Sequence, residues 1–147
     1  MIKVKNIMVK DVITVDISKS VKEAAELMSS KNVGCLLVEE EGRIKGIITE
    51  RDIVRRIVAT GRDPEKVKIG DIMTSPIVVV SPEATVEEAA KVMVMYKIRR
   101  LPVVEEGKLV GLVTTTDLAN YLSKVRGLSD PILQAIIRGP PEGGPYG

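Results

Sequence analysis

An α+β fold made of two β-α-β-β-α units, packed as a pseudo-twofold pair, is the architecture this sequence predicts. Three observations point to it. The chain matches itself without a gap when shifted by 65 positions. Each copy alternates short β-branched runs with helical stripes. The apolar fraction is 44% and the charged fraction 29%, the balance of a water-soluble globular protein.

The shift places Ile7-Met8 on Ile72-Met73, Glu23-Ala24-Ala25 on Glu88-Ala89-Ala90, and Met28 on Met93. It places Glu40-Glu41-Gly42 on Glu105-Glu106-Gly107, Gly46 on Gly111, Thr49 on Thr114 and Asp52 on Asp117. Chance does not produce such agreement over some fifty positions. It marks a duplicated unit, and a unit of roughly sixty residues has a thin core unless a second packs on it.

Within each unit the elements read in order. Val12-Ile13-Thr14-Val15 and Ile77-Val78-Val79-Val80 are β-branched runs, predicted as strands. Ser20-x-x-Glu23 and Thr85-x-x-Glu88 are capping boxes that open a helix. Val21, Ala24, Ala25 and Met28 then fall on one helical face, as do Val86, Ala89, Ala90 and Met93. Cys35 to Val38 and Arg43 to Ile48 predict a hairpin turning at Gly42; Leu101 to Val104 and Lys108 to Val113 predict its copy at Gly107. A second helix is expected from about Asp52 to Ala59, and from Asp117 to Lys124.

These residues resemble a known family. Gly46-Ile47-Ile48-Thr49-Glu50-Arg51-Asp52, matched by Gly111-Leu112-Val113-Thr114-Thr115-Thr116-Asp117, is similar to the closing motif of a cystathionine-β-synthase-type (CBS) domain. Ile98-Arg99-Arg100-Leu101-Pro102-Val103-Val104 resembles that family's second strand. The resemblance covers residues 1 to about 124 and implies a Bateman module with clefts between its two domains. On this reading residues 1–66 form the first domain and 67–124 the second; residues 125–147 are a C-terminal helix and flexible tail.

Without the family, Thr49-x-x-Asp52 and Thr114-x-x-Asp117 have two readings. Each sits where a strand ends and a helix begins, and Thr-x-x-Asp is itself a capping pattern. The same corner suits a nucleotide, because a helix N-terminus favours phosphate and a carboxylate accepts from a ribose diol. The resemblance implies that the two Asp residues hold ribose and the two Thr residues lie beside ribose or phosphate. Gly46 and Gly111, three residues before each Thr, would let a ligand or a neighbouring strand approach closely.

The resemblance also implies an adenine slot from the first strands (Ile13, Thr14, Val78, Val79) and the second (Cys35, Leu36, Arg100, Leu101, Pro102). Core packing is the competing role for their aliphatic side chains, and none of these strands offers an aromatic ring. Cations for phosphate are unevenly placed. The first unit has Arg51, followed by Arg55 and Arg56, where the second has Thr116; the second has Arg99-Arg100 where the first has Gly34-Cys35. The two sites are expected to grip phosphate differently.

Several function classes fall away. Net charge is only +2, too balanced for a nucleic-acid footprint. There is no His to shuttle protons near neutrality, no nucleophile elbow, no phosphate-binding P-loop and no His/Cys set for zinc. No required cofactor, no metal and no membrane span are expected, and an enzyme is not. A single cysteine rules out an internal disulfide, and the start lacks a signal-peptide core, so a cytoplasmic location is expected. The bias toward Lys, Glu and Arg resembles thermophile composition.

The expected function is a non-catalytic sensor of AMP, ADP or ATP. The alternative is an interaction and dimerisation module with vestigial clefts. Expected partners are an adenine nucleotide, a second copy in a homodimer, and an enzyme or transporter regulated in trans. Beyond the repeats, Asp130-Pro131 reads as an N-cap and first helical position, with Ile132, Leu133, Ile136 and Ile137 on one face and Gly139 ending the helix. Residues 142–147 read as a flexible extension.

Overall fold

The computed structural model of the protein describes residues 1–125, 127 and 129–138. It is a mixed α+β chain. The elements are β1 (Thr14–Asp16), α1 (Val21–Lys31), β2 (Cys35–Glu40), β3 (Arg43–Thr49), α2 (Glu50–Ile53), α3 (Ile69–Ile72), α4 (Val86–Tyr96), β4 (Arg100–Glu105), β5 (Lys108–Thr114), α5 (Thr115–Val125) and α6 (Pro131–Arg138). Helix α2 runs on as a π-helical stretch over Val54–Val58, closed by Ala59 N–H to the Val54 carbonyl at 2.8 Å. The predicted Gly139 stop and the 142–147 extension lie outside the described residues.

The chain divides into two compact units, and these do not coincide with the sequence repeats. One is Ile13–Ile77; the other joins Met1–Val12 to residues from Val78 onward. The segment that opens each repeat thus closes the unit of the other. In the first-repeat unit, Ile69 and Gly70 donate to the carbonyls of Lys19 and Ile17, and Val21 donates to Val67. In the second-repeat unit, Val4 and Lys5 donate to the carbonyls of Ala84 and Pro82, and Val86 donates to Ile2. Each bond of one set has its counterpart 65 positions away in the other. Val4 and Ile69 are fully buried at these closures.

The first-repeat unit holds a parallel β1–β2 pair, with Thr14 opposite Leu37, and an antiparallel β2–β3 hairpin, with Leu36 opposite Ile48. Its core gathers Val15, Val21, Ala24, Met28, Leu36 and Ile57 among others. The second-repeat unit repeats the hairpin, with Leu101 opposite Val113. Both hairpins turn on Glu-Gly pairs with positive φ, Glu41 51° and Gly42 80°, Glu106 52° and Gly107 80°. Two positive-φ residues in a row match the twist of the flanking strands, and glycine supplies the second without steric cost.

The helix starts hold with one difference. Ser20 and Thr85 accept from the backbone of Glu23 and Glu88, both at 3.1 Å. Among the described residues the return bond from the cap backbone N–H forms at neither, and at Ser20 it is the hydroxyl that meets the Glu23 carboxylate, at 3.4 Å. The predicted strand Ile77–Val80 is corrected more strongly. It is reduced to one parallel bridge, Val80 to Val103, with Val80 N–H on the Pro102 carbonyl at 3.0 Å. A β-branched run records β-propensity but not whether a neighbour lies along its whole length.

Candidate functional site

Strand β3 delivers Thr49 to the N-terminus of α2, where threonine and aspartate cap each other. Thr49 Oγ1 accepts Asp52 N–H at 3.2 Å, and Asp52 Oδ2 accepts Thr49 N–H at 2.9 Å. Thr114 and Asp117 repeat this at α5: Asp117 Oδ2 accepts Thr114 N–H at 2.9 Å, and Thr114 Oγ1 accepts Asp117 N–H at 3.3 Å. The capping reading of Thr-x-x-Asp is realised in both copies.

The two corners differ beyond the cap. Thr49 and Asp52 are buried, 3% and 6% exposed. Oδ1 of Asp52 accepts the Thr74 hydroxyl at 3.2 Å and lies 4.0 Å from Arg56 Nε. The Arg56 guanidinium donates to the Ile72 carbonyl at 2.8 Å, so it is held inside its own unit. Asp117 is half-buried, and its Oδ1 accepts no hydrogen bond from a described residue. A shift of 65 puts Val9 where the first repeat has Thr74, and valine has no hydroxyl to offer. Sequence reasoning missed Thr74; its signal was a polar residue at a position apolar in the other copy.

The remaining candidates sort by unit. Ile13, Thr14, Cys35, Leu36, Thr49, Arg51 and Asp52 lie in the first-repeat unit; Val78, Val79, Arg99, Arg100, Leu101, Pro102, Thr114, Thr116 and Asp117 lie in the second. Cys35 pairs with Thr49 and Arg100 with Thr114, so second-strand residues flank each corner. Thr115 N–H donates to the Arg99 carbonyl at 3.0 Å and Glu50 N–H to the Gly34 carbonyl at 3.0 Å. This brings exposed Arg99 beside the start of α5, next to exposed Thr116. Leu36, Leu101 and Pro102 are buried, and Ile13, Thr14, Cys35, Arg51, Val78 and Arg100 are half-buried. Val79 is exposed. The buried Leu and Pro side chains serve the core, which leaves their strands' backbone and the half-buried neighbours for any base.

Gly46 and Gly111 are answered by protein. A Cβ on Gly46 would stand 2.6 Å from the Thr74 carbonyl oxygen and 2.8 Å from Met73 Sδ. One on Gly111 would stand 2.5 Å from Met8 Sδ and 3.0 Å from the Val9 carbonyl oxygen. The glycines admit the closing segments, which bridge to Ile47 and Leu112. Among the described residues no cluster of three or more His, Cys, Asp or Glu side chains could hold a metal ion, and no helix is long and apolar enough to cross a membrane.

Comparison with known proteins agrees with the duplication. The CBS domain family matches residues 4–59 and again 69–124. The CBS domain-containing protein YhcV of Bacillus subtilis is 40% identical over 116 residues, covering 79% of this chain and 82% of YhcV. An uncharacterised protein of Methanopyrus kandleri is 41% identical over 111 residues, 74% of this chain, which spans only 57% of that relative. The crystal structure of Hypoxic Response Protein I, described with two coordinated zinc ions, superimposes with a TM-score of 0.76 at 33% identity, covering 83% of this chain and all of that one. This chain contains no His and one Cys.

Proposed function

Because the chain belongs to the CBS-domain family, carrying two such domains, we propose that it is a non-catalytic regulatory module that takes adenosine nucleotides of the AMP, ADP or ATP class. The observation that carries this reading is the second-repeat corner. There Asp117 keeps one carboxylate oxygen without a described protein partner, at the N-terminus of an 11-residue helix, with Arg99 alongside. An acceptor-only oxygen suits ribose hydroxyls, and the helix end with an arginine suits phosphate. The first-repeat corner has the same residues, but Thr74 and Arg56 already occupy Asp52. The Asp117 corner is therefore the stronger of the two. The nucleotide acts as a regulatory ligand, and the output passes to an enzyme or transporter in trans.

Titration calorimetry with AMP, ADP, ATP and 2′-deoxy-AMP tests the reading. Binding is expected with the ribonucleotides, weaker with the deoxy analogue and about tenfold or more weaker in Asp117→Ala, the equivalent of roughly 1–3 kcal/mol for a lost hydrogen-bonded charge. Absence of binding by every adenosine ligand would overturn it.

A second reading, a homodimer, draws support from the last turn of α4. Val94, Met95 and Tyr96 are 46%, 70% and 51% exposed there. Adjacent exposed apolar residues at one helix end are a recurrent mark of an interface. The apolar residues Ile57, Leu118 and Leu122 are buried within their own units and are not part of such a surface. Light scattering on the native chain and on Met95→Lys checks the dimer; a native monomer at micromolar concentration would discard it.

A further inference from the structure

Each Thr-x-x-Asp corner is met by the closing segment of its own unit, and the two meetings share a backbone. In the first-repeat unit Thr74 N–H donates to the Ile47 carbonyl at 2.8 Å, and Ile47 N–H to the Thr74 carbonyl at 3.0 Å. In the second-repeat unit Val9 and Leu112 exchange the same two bonds, both at 2.9 Å. Residues 9 and 74 are 65 positions apart, as are Ile47 and Leu112. The backbone holds residues 74 and 9 alike, so what differs between the corners is the side chain there.

Threonine and valine differ by a hydroxyl in place of a methyl, and only the hydroxyl can donate. In Asp52 the cap uses Oδ2, which accepts Thr49 N–H, while the Thr74 hydroxyl donates to Oδ1 at 3.2 Å. Among the described residues no other hydrogen-bond donor reaches Oδ1, and Arg56 Nε stands off at 4.0 Å. In Asp117 the cap again uses Oδ2, but Val9 offers nothing to Oδ1. An oxygen that already holds a donor must release it to take a ribose hydroxyl, and at a buried carboxylate that exchange gains little.

We infer that residue 74, with its counterpart residue 9, is the specificity-determining position that decides which corner takes the ribose. Its role rests on the nucleotide reading above and deepens it. The Thr74 hydroxyl stands in for a ribose hydroxyl on Asp52 and keeps the first-repeat corner closed to ligand. Valine at position 9 leaves the Asp117 corner open. A chain with two intact Thr-x-x-Asp motifs therefore takes one nucleotide. Because both caps use Oδ2, exchanging the residues at 74 and 9 changes the ligand-facing oxygen and leaves the cap bonds in place.

The probe is AMP, titrated by calorimetry into the full chain and into Thr74→Val, Val9→Thr and the double variant Thr74→Val with Asp117→Ala. The native chain is expected to bind one AMP and Thr74→Val two. The double variant is expected to bind one, now at the first-repeat corner. Val9→Thr is expected to weaken the native site about tenfold or more, since it gives Asp117 Oδ1 an internal donor. Val9 is 48% exposed, so this variant keeps the test decisive even where Thr74→Val fails to fold. Two AMP bound by the native chain, one bound by folded Thr74→Val, or unchanged affinity in Val9→Thr overturns the inference and leaves the nucleotide reading standing. Failure of every form, the native chain included, to bind any adenosine ligand overturns that reading and the inference with it.

Discussion

Thr74 donates its hydroxyl to Oδ1 of Asp52 at 3.2 Å, across 22 residues of sequence. This bond ties the closing segment of the first-repeat unit to the cap of α2, and the second repeat has no equivalent at Val9. The two aspartates therefore carry different hydrogen bonds, so the cost of losing each to stability and to the proposed nucleotide binding can be measured apart.

Asp52→Ala is expected to destabilise the protein by about 1–3 kcal/mol, because a buried acceptor of Thr49 N–H and the Thr74 hydroxyl is lost. Asp117→Ala removes a half-exposed cap and is expected to cost roughly 0.5–2 kcal/mol, at the lower end of that range. Nucleotide affinity is expected to fall in the opposite order. Urea denaturation and calorimetry on both variants measure the two rankings. A larger stability loss in Asp117→Ala would refute the assignment.

Gly46→Ala and Gly111→Ala probe the closing segments. The Gly46 methyl would meet a backbone oxygen at 2.6 Å, which can yield only if the Ile47–Thr74 bridge opens. The Gly111 methyl first meets the flexible end of Met8. Overpacking of this kind costs about 1–3 kcal/mol, and Gly46→Ala is expected to stand at the upper end and Gly111→Ala at the lower. Thermal melts of both variants give the comparison, and equal melting temperatures for Gly46→Ala and the native chain would discard the close-approach account.

The sequence made the duplication, the hairpins and the helix caps legible because each rests on local chemistry: Glu-Gly turns, Ser and Thr caps, apolar stripes one turn apart. It hid the exchange of opening segments. Ile7-Met8 and Ile72-Met73 look like the starts of their own repeats, and only tertiary packing shows that each closes the other unit. The Thr-x-x-Asp corners were visible as pattern, but the saturation of Asp52 depends on Thr74, which nothing local ties to it. Ile77–Val80 misled for the opposite reason, since β-branched composition cannot report how few partners lie alongside.

Lys3 and Lys5 both bond the Glu83 carboxylate, at 2.5 and 2.8 Å, and pin the N-terminal segment to the approach of α4. The hydrogen bond from Lys3, then that from Lys5, holds the Glu83 carboxyl well below its ordinary value of 4.5, at about 2. A lowered folded value means that the contribution is fully present above 4.5 and disappears as pH falls toward about 2. NMR titration of Glu83 is expected to show the low midpoint, moving up in Lys3→Ala and in high salt, since all three groups are exposed. A midpoint near 4.5 in the native chain would sink the pairing.

Helix α6 is the one element outside the repeats whose burial can be tested directly. Asp130 caps it, accepting from Ile132 and Leu133 N–H at 2.8 and 3.1 Å, and Pro131 stands at its first position. Eight residues do not hold a helix in water, so its order depends on Leu133 and Ile136 being buried against α4 and α5. Leu133→Ala is expected to cost about 2–5 kcal/mol, the range for truncating a buried leucine. Arg138→Ala, at an exposed position of the same helix, is expected to stay within about 0.5 kcal/mol of the native chain. Urea denaturation of the full chain separates them. If Leu133→Ala proves as mild as Arg138→Ala, α6 is not seated on the second repeat.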